Sequence, residues 1–191
     1  GPLPLVTIVT PCLNFAKFIE ETLQSVAAQD YPNLEHIVVD GGSTDGTLEI
    51  LARYPNVIVV TGRDRGAADA INRGFDRSHG EFFAWLNADD WYEPGALATV
   101  LRTLREDPSI DVLVGRCRMV DEAGSTVFTP RPPEPISPAN LMRLTSQWFN
   151  GRCLVQPEVF FRLSAFAAVG GLNRENHYSM DHELWLRLLL A

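Results

Sequence analysis

Short apolar runs alternate with longer amphipathic segments along this chain. The run at 82–86, Phe-Phe-Ala-Trp-Leu, is too short for an isolated helix and has no polar position that would face water. Such a run predicts a strand that is buried on both faces, as in a parallel sheet. The same reasoning predicts strands at 6–10, where Pro11 ends the strand, and at 34–39, 57–61, 111–114 and 158–162.

The segments between these runs have helical spacing. Between residues 14 and 29, Phe18, Ile19, Leu23 and Val26 fall on one face of a helix. Strands that alternate with helices of about 10–15 residues predict an α/β fold with a mainly parallel sheet flanked by helices. A smaller antiparallel part is expected after Val114, because 116–128 reads as a hairpin. The other predicted helices end at Arg53 or cover 66–78, 94–106, the region near 139–146 and two segments after 162.

Length, charge and cysteine content exclude several classes of protein. With 191 residues, the chain is long enough for one domain with a full core, and we expect a single domain over 1–191. The net charge of −8 disfavours a nucleic-acid partner. Lys17 is the only lysine, which excludes a phosphate-binding loop ending in Gly-Lys-Ser/Thr. Cys12, Cys117 and Cys153 are too widely spaced to indicate a disulfide framework or a zinc site.

The compartment is inferred from the same features. The three cysteines fit a reducing environment, so we expect a cytoplasmic protein. No apolar run has the length of a membrane span, and no signal peptide is visible. Because the chain stops inside the apolar helical pattern LWLRLLLA, we expect the natural protein to continue beyond Ala191. Peripheral association of that missing part with the inner face of a membrane is left open.

Two adjacent carboxylates follow the strand at 82–86. Asp89 and Asp90, which come after Asn87, would repel each other and resist desolvation unless a cation or hydrogen-bond donors lie between them. Ligands bind beyond the carboxyl ends of strands in open α/β sheets. The pair therefore predicts a site for Mg²⁺ or Mn²⁺ that shares the phosphates of a ligand. The alternative is that Asp89 or Asp90 caps the helix that follows.

Two other strand ends also carry polar residues. Asp40 ends the second strand and precedes a glycine-rich loop at 41–46. Its carboxylate can accept the imide N–H of uracil or a ribose hydroxyl, or it can cap the turn. The first strand ends in Thr-Pro-Cys-Leu-Asn at 10–14, without glycine, which disfavours a Rossmann dinucleotide-binding turn.

The segment 64–74 has a polar helix face. Asp69 and Asn72 share this face, and Arg65 and Asp69 are spaced for an i,i+4 pair. A surface salt bridge would explain the pair, but it would not explain the polar Asn72.

Five stretches resemble the motifs of the family 2 glycosyltransferases, which are inverting, nucleotide-sugar-dependent enzymes with the GT-A fold. Each stretch alone is weakly specific, but their order and spacing across essentially the whole chain make the resemblance specific. It implies a nucleotide-binding half at about 4–115 and an acceptor-side half at about 116–191. The five stretches are VTIVTPCLN, HIVVDGGSTDGT, DRGAADAINRG, FFAWLNADDWYEPGAL and MDHELWLRL.

The resemblance implies transfer of a sugar from a nucleotide-activated donor, a UDP-sugar above all, to an acceptor hydroxyl. The expected acceptor is a saccharide or a lipid-linked molecule, and the expected process is the synthesis of cell-surface polysaccharides or glycans. Two alternatives stay open. One is a non-catalytic nucleotide-sugar-binding module, and the other is a nucleotidyltransferase of related fold, which would normally have a glycine-rich Arg/Lys loop after the first strand.

The resemblance also implies roles for individual residues. Pro11, Asn14 and Asp40 would flank the nucleoside, and Asp89 and Asp90 would hold Mn²⁺ or Mg²⁺ on the diphosphate.

The remaining roles belong to the loop after the third strand and to the last helix. Arg65, with Arg63, would assist near the phosphates. Asp69 and Asn72 complete the set of nucleotide-binding residues, and Asp181 would be the general base.

The chain departs from the family pattern at three places. Asn87 replaces the first acidic residue of the usual Asp-x-Asp, and a neutral amide is a weaker cation ligand. Met180 replaces the first acidic residue of the late Glu-Asp pair, which leaves Asp181 as the carboxylate at the base position. The Gln-x-x-Arg-Trp stretch of processive synthases is absent from these 191 residues.

A structural role for Asp181 stays open at this point. With Ser179 as N-cap, Asp181 would lie in the first turn of a helix, where the helix dipole favours a carboxylate. His182 and Glu183 are candidates for orienting the acceptor, and Trp148 is a candidate for stacking on a sugar.

Overall fold

A computed structural model of the chain describes residues 3–143, 147 and 150–191. Within these residues, six strands form one mixed sheet in the order β3-β2-β1-β4-β8-β5. The contacts among the first four strands are parallel, whereas β8 is antiparallel to both β4 and β5. The strands are β1 (Val6–Cys12), β2 (Leu34–Asp40), β3 (Val57–Thr61), β4 (Phe82–Trp85), β5 (Val112–Val114) and β8 (Val159–Arg162).

A second, two-stranded antiparallel sheet forms the predicted hairpin, from β6 (Met119–Val120) and β7 (Thr126–Phe128). The predicted α/β class with a mostly parallel sheet and a smaller antiparallel part is confirmed. The described helices are α1 (Ile19–Ala27), α2 (Thr47–Leu51), α3 (Ala67–Phe75), α4 (Ala96–Glu106), α5 (Pro138–Leu141), α6 (Leu163–Ala168) and α7 (Met180–Leu190).

Helices cover both faces of the centre of the sheet, which explains the continuous apolar runs of β1, β2 and β4. The edge strand β3 is not buried on both faces as predicted, because Ile58 and Val59 are exposed. On one face, α3, α6 and α7 pack on a core that contains Phe83, Trp85 and Phe161. On the other face, α1, α2 and α4 pack against Val6, Ile8 and their neighbours. Every residue of β4 is buried, as its pattern predicts.

The first strand continues two residues beyond the predicted end. Pro11 and Cys12 pair with β2, although Pro11 has no N–H to donate. The Val9 carbonyl accepts the Leu86 N–H, so residues 9 and 11 direct their backbone polar groups toward β4. Because β4 ends at Trp85, which is level with Val9, the missing N–H of Pro11 faces no strand and costs no ladder hydrogen bond.

The first helix begins at Ile19 and not at the predicted Asn14 or Phe15. Asn14 has a left-handed backbone with φ of 60°. The N–H of Ala16 donates to Asp45 Oδ2 (2.9 Å), so this amide belongs to a loop contact before the helix starts.

Candidate active site

The carboxyl ends of four parallel strands meet at one edge of the sheet. The loops that follow β1, β2, β3 and β4 carry the polar residues singled out in the sequence, so the topology places these loops along a shared edge.

Asp40 lies fully buried at the end of β2 and organises the loop that follows. Its Oδ1 accepts the N–H groups of Gly42 and Ser43, both at 2.9 Å, and its Oδ2 accepts the Ser43 hydroxyl at 2.5 Å. The cap predicted as the alternative role is therefore present. A carboxylate offers about four acceptor positions, and the loop occupies three of them.

Asn14 joins the loop after β1 to the loop after β2. Its side-chain oxygen accepts the Thr44 N–H (2.8 Å), and its own N–H donates to the Ser43 hydroxyl (2.8 Å). Pro11 pairs with Val39, and the next pair along the two strands is Cys12 with Asp40. The structure thus brings Pro11, Asn14 and Asp40 together at neighbouring strand ends.

Asp64 and Asp45 support the same edge, and neither was singled out from the sequence. A Cβ on Gly41 would lie 2.6 Å from Asp64 Oδ2, so a larger residue there would displace the Asp64 carboxylate. Asp45 accepts the Thr47 hydroxyl (2.5 Å) and the Ala16 N–H, and these hydrogen bonds lower the pKa of Asp45. Asp-Gly at 45–46 is typical of a turn and could have indicated this loop contact.

At the start of α3, the predicted side-chain pair of Arg65 and Asp69 is replaced by a different arrangement. The backbone N–H of Arg65 donates to Asp69 Oδ2 (3.2 Å), while Arg174 Nε donates to Asp69 Oδ1 (2.8 Å). Burial raises the pKa of Asp69, but these two donors outweigh it and hold the pKa below its ordinary value. The Arg65 side chain is exposed and lies 3.6 Å from Glu175.

Asn72 is 3% exposed and bonds to a distant part of the chain. Its Nδ2 donates to the Leu172 carbonyl (2.7 Å), and its Oδ1 accepts the Leu172 N–H (3.0 Å). A Cβ on Gly171, whose φ is +71°, would lie 2.7 Å from Asn72 Oδ1. These contacts give Asn72 a structural role, and its predicted contact with a nucleotide stays a prediction.

The residues from 171 to 177, which we call the approach segment, run along α3 toward its first turn. Leu172 contacts Asn72 and Arg174 contacts Asp69, which lies one turn earlier in α3. At the end of the segment, His177 Nδ1 lies 3.4 Å from the position of a Cβ on Gly66. Because α3 begins at the carboxyl edge of the sheet, the approach segment leads α7 to that edge.

Asp181 lies in the first turn of α7, the helix that follows the approach segment. Its Oδ1 accepts the N–H of His182 (2.8 Å). One turn later, Trp185 stacks on Trp85 with ring centroids 5.9 Å apart and an interplanar angle of 15°. Ser179 occupies the N-cap position as predicted, but its side chain makes no capping hydrogen bond.

The two carboxylates after β4 differ in environment. Asp89 is exposed and Asp90 is partly buried, with Asn87 Nδ2 donating to Asp90 Oδ2 (3.3 Å). Burial first, and then the charge of Asp89, raise the pKa of Asp90 to about 6 despite that hydrogen bond. The Thr22 hydroxyl donates to the Asp90 carbonyl (2.8 Å) and anchors the turn.

These residues fit a divalent cation of the hard type. A raised pKa is what two crowded carboxylates without a cation should have, and carboxylate and amide oxygens suit Mg²⁺ or Mn²⁺. Among residues 3–143, 147 and 150–191 no group of three or more His, Cys, Asp or Glu side chains could hold a metal by itself. Asp89 and Asp90 would therefore hold an ion that also needs water or ligand oxygens.

A comparison with protein families identifies the family of this chain. The sequence model of Glycosyl transferase family 2 matches residues 7–169. The chain belongs to this family. The resemblance seen in the motifs is thereby confirmed.

Related sequences extend over nearly the whole chain. An uncharacterized glycosyltransferase of Rickettsia typhi is 30% identical over 193 residues, covering 97% of this chain and 59% of the relative. The chain thus spans about six-tenths of the length of that relative. A Mycobacterium tuberculosis protein named PGL/p-HBAD biosynthesis glycosyltransferase is 38% identical over 118 residues, covering 59% of this chain and 46% of that protein.

Solved glycosyltransferase structures have the same fold. S. aureus TarS superposes with a TM-score of 0.75 and 25% identity, covering 97% of this chain and 55% of that chain. TarS has also been solved in complex with UDP-GlcNAc, with a TM-score of 0.77 and 23% identity. A mannosyltransferase of Pyrobaculum calidifontis, solved with GDP-Man and Mn²⁺, has a TM-score of 0.69 and 24% identity and covers 96% of this chain and 51% of its own.

Some of the predicted residues lie outside the described part of the chain, and others have different partners from those expected. Trp148 lies outside them, as does most of the helix predicted near 139–146 beyond Leu141. Glu183 pairs with Arg187 at 3.0 Å, one helical turn away. No helix in the described part of the chain combines the length and apolar character needed to cross a membrane.

Proposed function

We propose that the protein is an inverting glycosyltransferase that moves a sugar from a UDP-sugar to an acceptor hydroxyl. The proposal is supported by three features that the topology directs toward the carboxyl edge of the parallel strands. These features are the Asp40 loop, the Asp89–Asp90 pair and the first turn of α7 with Asp181. Membership of glycosyl transferase family 2 supports the reaction class.

The donor is proposed to bind to the half formed by residues 4–115. Pro11, Asn14 and Asp40 would flank the nucleoside, with Asp40 accepting the imide N–H of uracil at its remaining acceptor position. Arg65 would extend toward the phosphates, since its guanidinium is exposed and only loosely paired with Glu175.

Two other residues of this half would act on the donor site through their partners. Asp69 and Asn72 are engaged by Arg174 and Leu172, so they would shape the donor site by holding the approach segment in place.

Asp89 and Asp90 would hold Mn²⁺ or Mg²⁺. When bound, the ion would neutralise charge on the leaving diphosphate and orient it. The need for a cation follows from the charge balance, because a protein of net charge −8 must accept an anionic donor beside two carboxylates. The P. calidifontis mannosyltransferase complex with Mn²⁺ supports a divalent ion in this fold.

Asp181 is proposed to act as the general base in the acceptor-side half, residues 116–191. The acceptor oxygen forms a bond to the anomeric carbon on the face opposite the diphosphate, the bond from that carbon to the diphosphate breaks, and UDP leaves. The acceptor proton passes to the Asp181 carboxylate. A single displacement of this kind inverts the anomeric configuration.

The proposed process is the synthesis of cell-surface polysaccharide or glycan, with a saccharide or lipid-linked acceptor. A Bacillus subtilis relative, TuaG, supports this setting. It is named as a candidate teichuronic acid biosynthesis glycosyltransferase and is 37% identical over 108 residues, covering 54% of this chain and 43% of TuaG.

Calorimetric titration with UDP, GDP and uridine, with Mn²⁺ and then with EDTA, tests the donor and the ion together. UDP should bind more tightly than GDP. EDTA should weaken the binding of UDP far more than the binding of uridine, because the ion acts on the phosphates. Slow release of free sugar from a UDP-sugar separates a transferase from a pure binding module. Equal UDP affinity with and without Mn²⁺ or Mg²⁺ would make the Asp89–Asp90 turn structural.

A further inference from the structure

Two arginines face each other across an isolated β-bridge in the acceptor-side half. Arg131 and Arg152 are paired in parallel, with the Arg131 N–H donating to the Gly151 carbonyl at 3.0 Å. Paired residues carry their side chains on the same face, and like charges placed opposite each other are destabilising. The bridge therefore places two like-charged side chains at paired backbone positions on one face.

Neither guanidinium has a counter-ion in the part of the chain that the structure describes. Arg118, Arg162 and Arg174 each hold a carboxylate at 2.7–3.0 Å, whereas Arg131 and Arg152 make no side-chain hydrogen bond or ion pair with described residues. Both side chains are exposed. In a chain of net charge −8, an unneutralised pair of this kind is a local positive site.

A small cavity with a mostly apolar lining adjoins Arg152. Arg152 and His182 both line it, together with Asn140 and Cys153, and its volume is about 30 Å³. His182 Nε2 is buried and has no hydrogen-bond partner among the described residues. A buried polar atom without a partner is costly, and a cavity of this size admits a water or one oxygen of a ligand.

The cavity is also next to the proposed base. His182 follows Asp181 directly and donates its backbone N–H to the Asp181 carboxylate (2.8 Å). A molecule held by the arginine pair and by His182 would therefore reach the first turn of α7, which also carries Asp181. The loops after β1 to β4, where the donor is proposed to bind, contribute neither arginine.

We propose that Arg131 and Arg152 bind a phosphate group of the acceptor, with His182 Nε2 hydrogen-bonded to an acceptor oxygen. The assignment rests on the proposed function, since it names the chemical class of acceptor for that reaction. Guanidinium groups bind phosphate oxygens in a bidentate manner, and two of them balance a phosphate monoester, whose charge is about −1.5 to −2 at pH 7. A lipid phosphate offers such a monoester, and a phosphodiester chain offers one negative charge at each of its phosphates.

The first test measures binding of glycerol 3-phosphate by calorimetry in EDTA, so that the metal site does not contribute. Wild type should bind it, and Arg131→Gln and Arg152→Gln should each weaken binding about tenfold or more, as expected for a charged hydrogen bond. Arg102→Gln is the matched control, because Arg102 is exposed on α4 and its loss removes the same charge. Absence of binding to wild type, or equal losses in all three variants, would overturn the proposal.

The second test keeps this inference separate from the proposed function. UDP binding with Mn²⁺ should be unchanged in Arg131→Glu, which reverses the charge, while glycerol 3-phosphate binding is lost. If UDP fails to bind to wild type but the phosphate effect is present, the proposed donor is wrong and the anion site stands. Transfer to a glycerophosphodiester oligomer, compared with transfer to a short-chain lipid phosphate, distinguishes the two sources of the phosphate. Equal transfer to neutral and phosphorylated acceptors would contradict the site.

Discussion

At the scale of single residues, Asp181 is the side chain whose role is most sharply testable. Asp181→Asn keeps the shape of the first turn of α7 and its hydrogen bond to the His182 N–H, but the amide cannot receive a proton. Transfer should fall by roughly 10²–10⁴-fold, the usual contribution of a general base. UDP affinity and the melting temperature should barely change.

Glu183→Gln is the matched control for that substitution. Glu183 lies in the same helical turn, but its carboxylate is engaged by Arg187. Its loss should leave turnover near wild type in an assay of sugar transfer. If Asp181→Asn retained wild-type turnover and Glu183→Gln did not, Glu183 would take the role of base.

Asp40 combines a structural and a binding role. Asp40→Ala removes three hydrogen bonds from the loop and should weaken UDP binding by roughly 1–3 kcal/mol. Ser43→Ala removes one of these bonds and leaves the carboxylate in place, so its effect should be smaller. Calorimetric titration of both variants with UDP distinguishes the loss of the contact with uracil from the loss of a loop hydrogen bond. Unchanged UDP affinity in Asp40→Ala would exclude the base contact.

The raised pKa of Asp90 predicts that the stability of the metal-free protein depends on pH. Its pKa in the folded state is about 6, above the ordinary value of 3.8. Between these values the folded state binds more protons than the unfolded state, so stability falls as pH rises from about 4 to about 6. Below about pH 4 Asp90 is protonated in both the folded and the unfolded state, so it does not change the stability with pH. Above about pH 6 it is ionised in both states, and stability falls no further.

Asp90→Asn should abolish this part of the pH profile in urea unfolding followed in EDTA. In the wild-type protein above pH 6, Mn²⁺ should restore the lost stability, because the ion binds the carboxylate that has lost its proton. A wild-type pH profile in Asp90→Asn would show that another group titrates.

At the scale of elements, the approach segment depends on α3. Asn72→Ala removes both hydrogen bonds to Leu172 and leaves buried backbone groups unpaired, which should cost about 1–3 kcal/mol of stability. Turnover should fall because α7 is less firmly placed, while UDP affinity measured below the melting temperature stays close to wild type. Arg77→Ala is a control, since its guanidinium only reaches the Arg73 carbonyl on the exposed side. A selective loss of UDP affinity in Asn72→Ala would instead favour the predicted nucleotide contact.

The same element marks the limit of prediction from sequence. Continuous apolar runs located β2, β3 and β4 within one residue or so. Burial on both faces explains this signal for β4 and for most of β2, but not for the edge strand β3, where Ile58 and Val59 are exposed. The partners of Asn72 and Asp69 lie about one hundred residues away, and no periodicity encodes such contacts. Helix starts were also displaced where loop side chains capture backbone N–H groups, as Asp45 does with Ala16.

At the scale of the whole molecule, the sheet joins the two halves of the chain. Strand β8, from residues 116–191, pairs with β4 and β5, which belong to residues 4–115. The order of motifs indicated a GT-A fold, but nothing local indicated that β8 inserts between β4 and β5. The proposed metal turn and the proposed base are thus attached to one rigid sheet, through Trp85 and Trp185.

The stacked indoles of Trp85 and Trp185 also have an optical consequence. Two such chromophores at 5.9 Å, held at a fixed angle, couple their transitions and should give a paired positive and negative band in circular dichroism. That signal depends on contact between α7 and β4 and not on total helix content. The paired bands therefore report whether α7, the helix that carries Asp181, is packed against β4.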